Sequence, residues 1–225
     1  MRRRLIAVLA LFLLTGAPNA VSQPAGAATR ASAGPSTPIQ DPCKDGAYAL
    51  EGTHWRSAFQ WSFQAKSIPS GMNKSKVEGA LIRAARNITW ARNGCGLPDK
   101  VDATQRYLGW TPAAPDVTAA ATCGAADGKN VVGFGKLPSD YLAITCRWLR
   151  AGKIVEADVM INKTVFRWTV AIPTGCRTEW AVEDVATHEF GHVFGLDHVS
   201  EALHPELTGA GNPYCLLTRR STLWM

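Results

Sequence analysis

His188-Glu-Phe-Gly-His-Val-Phe-Gly-Leu-Asp-His198, HEFGHVFGLDH, decides how the rest of this chain is read. Just upstream, Val182, Ala186, Phe190 and Val193 recur at helical spacing, and Glu179, Glu183 and Asp184 put negative charge where it suits a helix start. The spacing predicts a helix from about Glu179 through Val193. On it, His188 and His192 stand one above the other on one face with Glu189 beside them. Gly195 takes a positive φ at low cost, so it can end the helix and turn the chain until His198 reaches the same point.

Three neutral imidazoles on one ion form the ligand set of a catalytic zinc site, which keeps its fourth position for water. His188, His192 and His198 are therefore read as the ligands of one Zn2+. Glu189 is read as the catalytic base, taking a proton as zinc-bound water attacks a peptide carbonyl. A rival scheme draws the third ligand from Glu201 or Glu206, but Gly195 and His198 together argue against it. His54 and His204 have no partner at ligand spacing and are read as surface or core histidines.

The N-terminus begins MRRR and continues LIAVLALFLL, a basic stretch and a short apolar run followed by small residues, which reads as a secretory signal peptide over residues 1–27. Cleavage after Ala20 or after Ala27 fits the small-residue rule. Residues 28–42, rich in Pro, Ser and Ala, read as a linker, and residues 43–225 as the folded domain. The expected product is secreted and extracellular, monomeric, with no membrane attachment after cleavage. Of the net charge of +6, Arg2, Arg3 and Arg4 supply three units, leaving about +3 on the mature chain. Lys74, Lys76, Arg83, Arg86 and Arg92 lie along one predicted helix without a dense run, so no nucleic-acid partner is expected.

Six cysteines, Cys43, Cys95, Cys123, Cys146, Cys176 and Cys215, follow the leader, an even count that suits up to three disulfides in an exported chain. The expected pairing is Cys43 with Cys95, Cys123 with Cys146 and Cys176 with Cys215. The capping-box spacing of Ser75 and Glu78, followed by Val77, Leu81, Ala84, Ile88 and Ala91, predicts a helix ending at Gly94. Trp55–Phe63, Arg106–Trp110 and Asn130–Phe134 are candidate strands. Ile154–Asn162, IVEADVMIN, alternates as a strand with one buried face does. The fold class is accordingly α+β or α/β.

These residues resemble the metzincin metallopeptidases, and HEFGHVFGLDH is most similar to their matrixin branch in its short exported bacterial forms. The resemblance implies a twisted mixed sheet with a helix after the first strand and an active-site helix carrying HExxH. It also implies that IVEADVMIN is the edge strand beside the cleft, along which a polypeptide substrate would lie extended and antiparallel. A structural Ca2+ is a further candidate by the same analogy, with Asp116, Asp127, Asp140 and Asp158 as candidate oxygen ligands. Cys95-Gly-Leu-Pro-Asp99 is similar to the matrixin cysteine switch but follows the first helix of the domain, so a disulfide is the expected state of Cys95. The family's methionine turn is absent where it would fall, at Glu206–Gly209. Met225 is the only methionine after His198, and the C-terminus reads as short. The expected function is a secreted zinc endopeptidase. The alternative is a non-catalytic or degenerate exported zinc-binding pseudoprotease. Asn73, Asn87 and Asn162 begin Asn-x-Ser/Thr triplets, which matter where the host glycosylates exports.

Overall fold

A computed structural model describes residues 21–24, 49–55, 57–92, 95–99, 101–171 and 179–198 of the 225-residue chain. The elements run β1 (Val21–Pro24), β2 (Ala49–Leu50), β3 (His54–Trp55), β4 (Phe59–Phe63), a 3-10 turn at Ala65–Ser67, α1 (Lys74–Thr89), β5 (Gln105–Trp110) and β6 (Val131–Gly135). They continue with β7 (Ala143–Arg150), β8 (Lys153–Asn162), β9 (Arg167–Thr169), β10 (Glu179–Ala181), α2 (Val182–Val193) and β11 (Leu196–Asp197). The result is a mixed α/β architecture with a mostly parallel sheet and two helices.

The main sheet has strand order β1-β7-β8-β6-β4-β5, with β3 pairing the start of β8. Strands β5, β4, β6 and β8 run parallel, and β7 is antiparallel to β8. Ala151 and Gly152, with φ of 50° and 71°, make the two-residue turn between β7 and β8, the doubly left-handed geometry that tight hairpins require.

IVEADVMIN is not the edge strand that the resemblance implied. It lies inside the sheet as β8, between β6 and β7. Nor is only one of its faces buried: Glu156, Asp158, Met160 and Asn162 are buried along with Ala157, Val159 and Ile161, whereas Val155 is exposed. A strand with neighbours on both sides and layers on both faces has no solvated side, so alternation of residue type there does not report exposure.

The two faces of the sheet carry separate cores. Ala157, Val159 and Ile161 pack with Phe59, Trp61, Leu81 and Phe190 under the two helices. Ile144, Cys146, Trp148 and Met160 pack with Val117 and Leu137 on the other side. The Cys123–Cys146 disulfide fastens the loop before β6 to this second face, as the cysteine reading expected. Cys95 is also disulfide-bonded, which excludes it as a free thiolate. Cys43, Cys176 and Cys215 lie outside the described residues.

Helix α1 starts at a different cap from the one its sequence suggested. The Asn73 side chain accepts from the Lys76 N–H at 3.0 Å, two residues before Ser75, and the helix stops at Thr89 rather than reaching Gly94. Of the basic residues expected along it, Lys74, Arg83, Arg86 and Arg92 are engaged within the chain. Arg83 pairs with Glu183 of α2 at 2.7 Å, and the guanidinium groups of Arg86 and Arg92 lie 5.0 and 4.6 Å from the Trp90 ring centre. Helix α2 begins at Val182, because Glu179–Ala181 instead pairs with β9. Its expected core face is intact: Val182, Ala186, Phe190 and Val193 are all buried, with Phe190 against Trp61 at 5.2 Å.

Candidate metal centre

Helix α2 carries His188, Glu189 and His192 on its last two turns, where all three are buried. Gly195 follows with φ of 92°, the positive value its position required, and the chain turns through β11 to His198. The three Nε2 atoms converge: His188 to His198 is 2.8 Å, and His192 lies 3.1 Å from each. Imidazoles sharing a tetrahedral ion at ~2.0–2.1 Å would have nitrogens about 3.3 Å apart, close to this spacing. The His192 Nδ1 donates to the Leu196 carbonyl at 2.9 Å, since a carbonyl can only accept, and this leaves its Nε2 as a bare lone pair.

Burial sets the charge state of these rings. His188 is held well below the usual imidazole pKa by burial and by its two histidine neighbours, and burial pulls His192 down to about 4. Both are therefore neutral at physiological pH, as ligands must be. Burial pushes Glu189 the other way, up to about 8, with the Thr145 hydroxyl partly offsetting it. That hydroxyl donates to Glu189 Oε2 at 2.6 Å, while Glu189 Oε1 is buried with no hydrogen-bond partner. One carboxyl oxygen is thus anchored and the other has no partner; a cation held by the three imidazoles would favour the ionised form that a base requires.

Residues that the motif does not contain complete the surroundings. Thr145 and Arg147 project from β7 toward the helices. The buried Arg147 guanidinium pairs with Glu51 and donates to Thr53 Oγ1 at 3.1 Å. Segment 49–55 lies along the loop between His192 and His198: β2 pairs β11, the Glu51 N–H donates to the Gly195 carbonyl at 2.9 Å, and the Trp55 indole N–H donates to the Val193 carbonyl at 2.7 Å. Nothing in HEFGHVFGLDH points to these residues. The apolar alternation of Ile144, Cys146 and Trp148 was the available signal for β7.

A second group, Asp116, Asp127 and Glu156, brings carboxylate oxygens within 4.8 Å of one another and could hold a metal. Asp158 stands beside it, accepting the backbone N–H groups of Asp116 and of Val131, the latter at 2.6 Å. Burial raises the Asp158 pKa to about 7, and the two N–H groups hold it down in part. Of the four acidic residues named as calcium candidates, Asp116 and Asp127 are in this group, Asp158 adjoins it and Asp140 is exposed elsewhere; Glu156, which the alternation had assigned no role, replaces it. His54 meets Lys153 at the surface and is not one of the converging trio. Glu201, His204, Glu206 and Met225 lie outside the described residues.

No family model matches this chain, and no curated protein matches it. Among the described residues no helix is long and apolar enough to cross a membrane.

Proposed function

We propose that this chain is a secreted zinc endopeptidase of the metzincin type, similar to the matrixins, that hydrolyses peptide bonds within extended polypeptide segments. The observation that carries the reading is the convergence of three imidazole nitrogens beside Glu189, whose buried Oε1 has no partner. A donor set of nitrogens alone, with a carboxylate held off it, fits zinc and leaves a position for water. When bound, the ion supplies Lewis acidity that polarises the scissile carbonyl and acidifies water. Glu189 Oε1 accepts the proton from attacking water and passes it to the departing amine, while Thr145 holds the other oxygen in place. A mixed sheet with one of two helices carrying HExxH is compatible with that type, although β8 is interior where the family's edge strand was expected.

One observation favours the second reading, an exported zinc-binding protein without turnover. Val21–Pro24 pairs antiparallel with Leu149–Cys146 on the outer edge of β7, which is where an extended substrate would add its main chain. A quenched-peptide pool separates the two readings when zinc content is measured alongside it, with Glu189→Ala and chelated samples as controls. Turnover at one zinc per chain that both controls abolish supports the peptidase. Stoichiometric zinc with no turnover supports the binding protein, and a folded chain that takes up no zinc removes both.

A further inference from the structure

The loop from Val193 to His198 has to hold two of the three converging imidazoles in register, and its support comes from distant sequence. Beside the packing of Phe194 on Phe59, that support runs through segment 49–55. The Trp55 indole caps Val193, the Glu51 N–H reaches Gly195, and Ala49–Leu50 pairs with Leu196–Asp197. The Thr53 carbonyl presses so close to Gly195 that a Cβ there would lie 2.2 Å from it. Segment 49–55 is itself pinned by Arg147, which pairs with Glu51 and donates to Thr53 from a position only 1% exposed. Glu51 Oε1 has no hydrogen-bond partner and stands 3.8 Å from His192 Nδ1, close enough to orient that ring electrostatically.

We propose that Arg147 and Glu51 are positioning residues for the metal ligands, an ion pair with its guanidinium buried that locks segment 49–55 against the His192–His198 loop. This rests on the zinc reading above. A charged pair is a costly thing to bury for packing alone, because desolvation offsets much of its attraction. Its guanidinium fork supplies directed bonds to two points of one segment, which an apolar pair of the same volume would not. The lock reaches the metal only through the ligand loop, in the way that groups behind metal ligands set ring orientation.

The test compares zinc affinity, by competition with a chromophoric chelator, in the full chain and in Arg147→Met, Arg147→Lys and Glu51→Gln variants. Cobalt absorption reports ligand geometry in the same proteins. Loss of outer support of this kind typically costs about 10- to 100-fold in metal affinity. Arg147→Met and Glu51→Gln are expected to fall in that range with a changed cobalt band, and Arg147→Lys to recover part of the loss. Ile144→Ala, on the opposite face of the sheet, is expected to lower thermal stability while leaving zinc affinity unchanged. Glu51→Gln removes a charge with almost no change of shape, so it serves if Arg147→Met does not fold. Wild-type affinity in both lock variants, or an equal loss in Ile144→Ala, overturns the proposal and leaves the zinc site standing. A folded wild-type chain that binds no zinc overturns the site reading and this proposal together.

Discussion

Gly195→Ala tests the geometry of the ligand loop with one methyl group. At φ of 92° an alanine sits in strained backbone, costing about 1–3 kcal/mol. Its Cβ would lie 2.2 Å from the Thr53 carbonyl oxygen, so the loop and segment 49–55 must separate. The Glu51 N–H bond to Gly195 then weakens, adding about 1 kcal/mol. The sum, about 2–4 kcal/mol, corresponds to a fall in Tm of roughly 5–15 °C for a domain of this size. Gly152→Ala is the control: its φ of 71° carries the backbone strain, but nothing lies within 4 Å of the added methyl. Thermal unfolding of the metal-free proteins, followed by circular dichroism, should rank Gly195→Ala well below Gly152→Ala. Chelator competition should show weakened zinc binding only in the former, because His198 moves with the loop. Equal melting temperatures and equal zinc affinities in the two variants would refute the argument.

Other expectations follow from individual contacts. Thr145→Val removes the anchor of Glu189 Oε2, a hydrogen bond to a charged group worth about 1.5–3 kcal/mol, so kcat should fall about 10- to 100-fold while Thr145→Ser stays near wild type; steady-state kinetics on one peptide decides it. Asp158 keeps its proton to about pH 7 in the folded chain against 3.8 when unfolded. Its stability contribution is therefore full below pH 3.8 and lost by about pH 7, amounting to at most about 4 kcal/mol. Urea unfolding without metal ions should show a flatter pH dependence across that window in Asp158→Asn than in wild type. Calcium should raise the Tm at pH 7.5 and less at pH 5, since Asp116, Asp127 and Glu156 must be ionised to bind it; no effect at either pH counts against a cation there. A chain beginning at Ala28 lacks β1, so it should show a lower KM for long peptides than one beginning at Val21; equal values would mean that β1 does not compete with substrate.

The histidine trio and Glu189 were legible because their geometry is local. A helix puts positions 188 and 192 on one face whatever surrounds it, and a glycine at 195 permits the turn that returns position 198. The same locality explains the core face of α2 and the bounds of β5, β6 and β8, each correct to within a residue or so. Where a local signal had a rival close by, it misled. Asn73 took the cap that Ser75 and Glu78 were read as forming, because its side chain reaches the Lys76 N–H and starts the helix two residues earlier. Glu179–Ala181 suits a helix by composition but pairs with β9, whose backbone lies within reach only in the folded chain.

What the sequence by itself determined, then, is which side chains can ligate and which can accept a proton, since residue type and spacing along one helix fix both. Tertiary structure alone decided that β8 is interior and that β7 crosses above the helix. It also decided that Thr145, Arg147 and Glu51 meet the site from 44, 45 and 141 positions away in the numbering, counted from Glu189 for Thr145 and from His192 for the other two. Strand pairing and burial join segments that share no local pattern, and loop closure lets any pair of them meet at a cost that grows only slowly with separation. No periodicity along the chain records such a meeting.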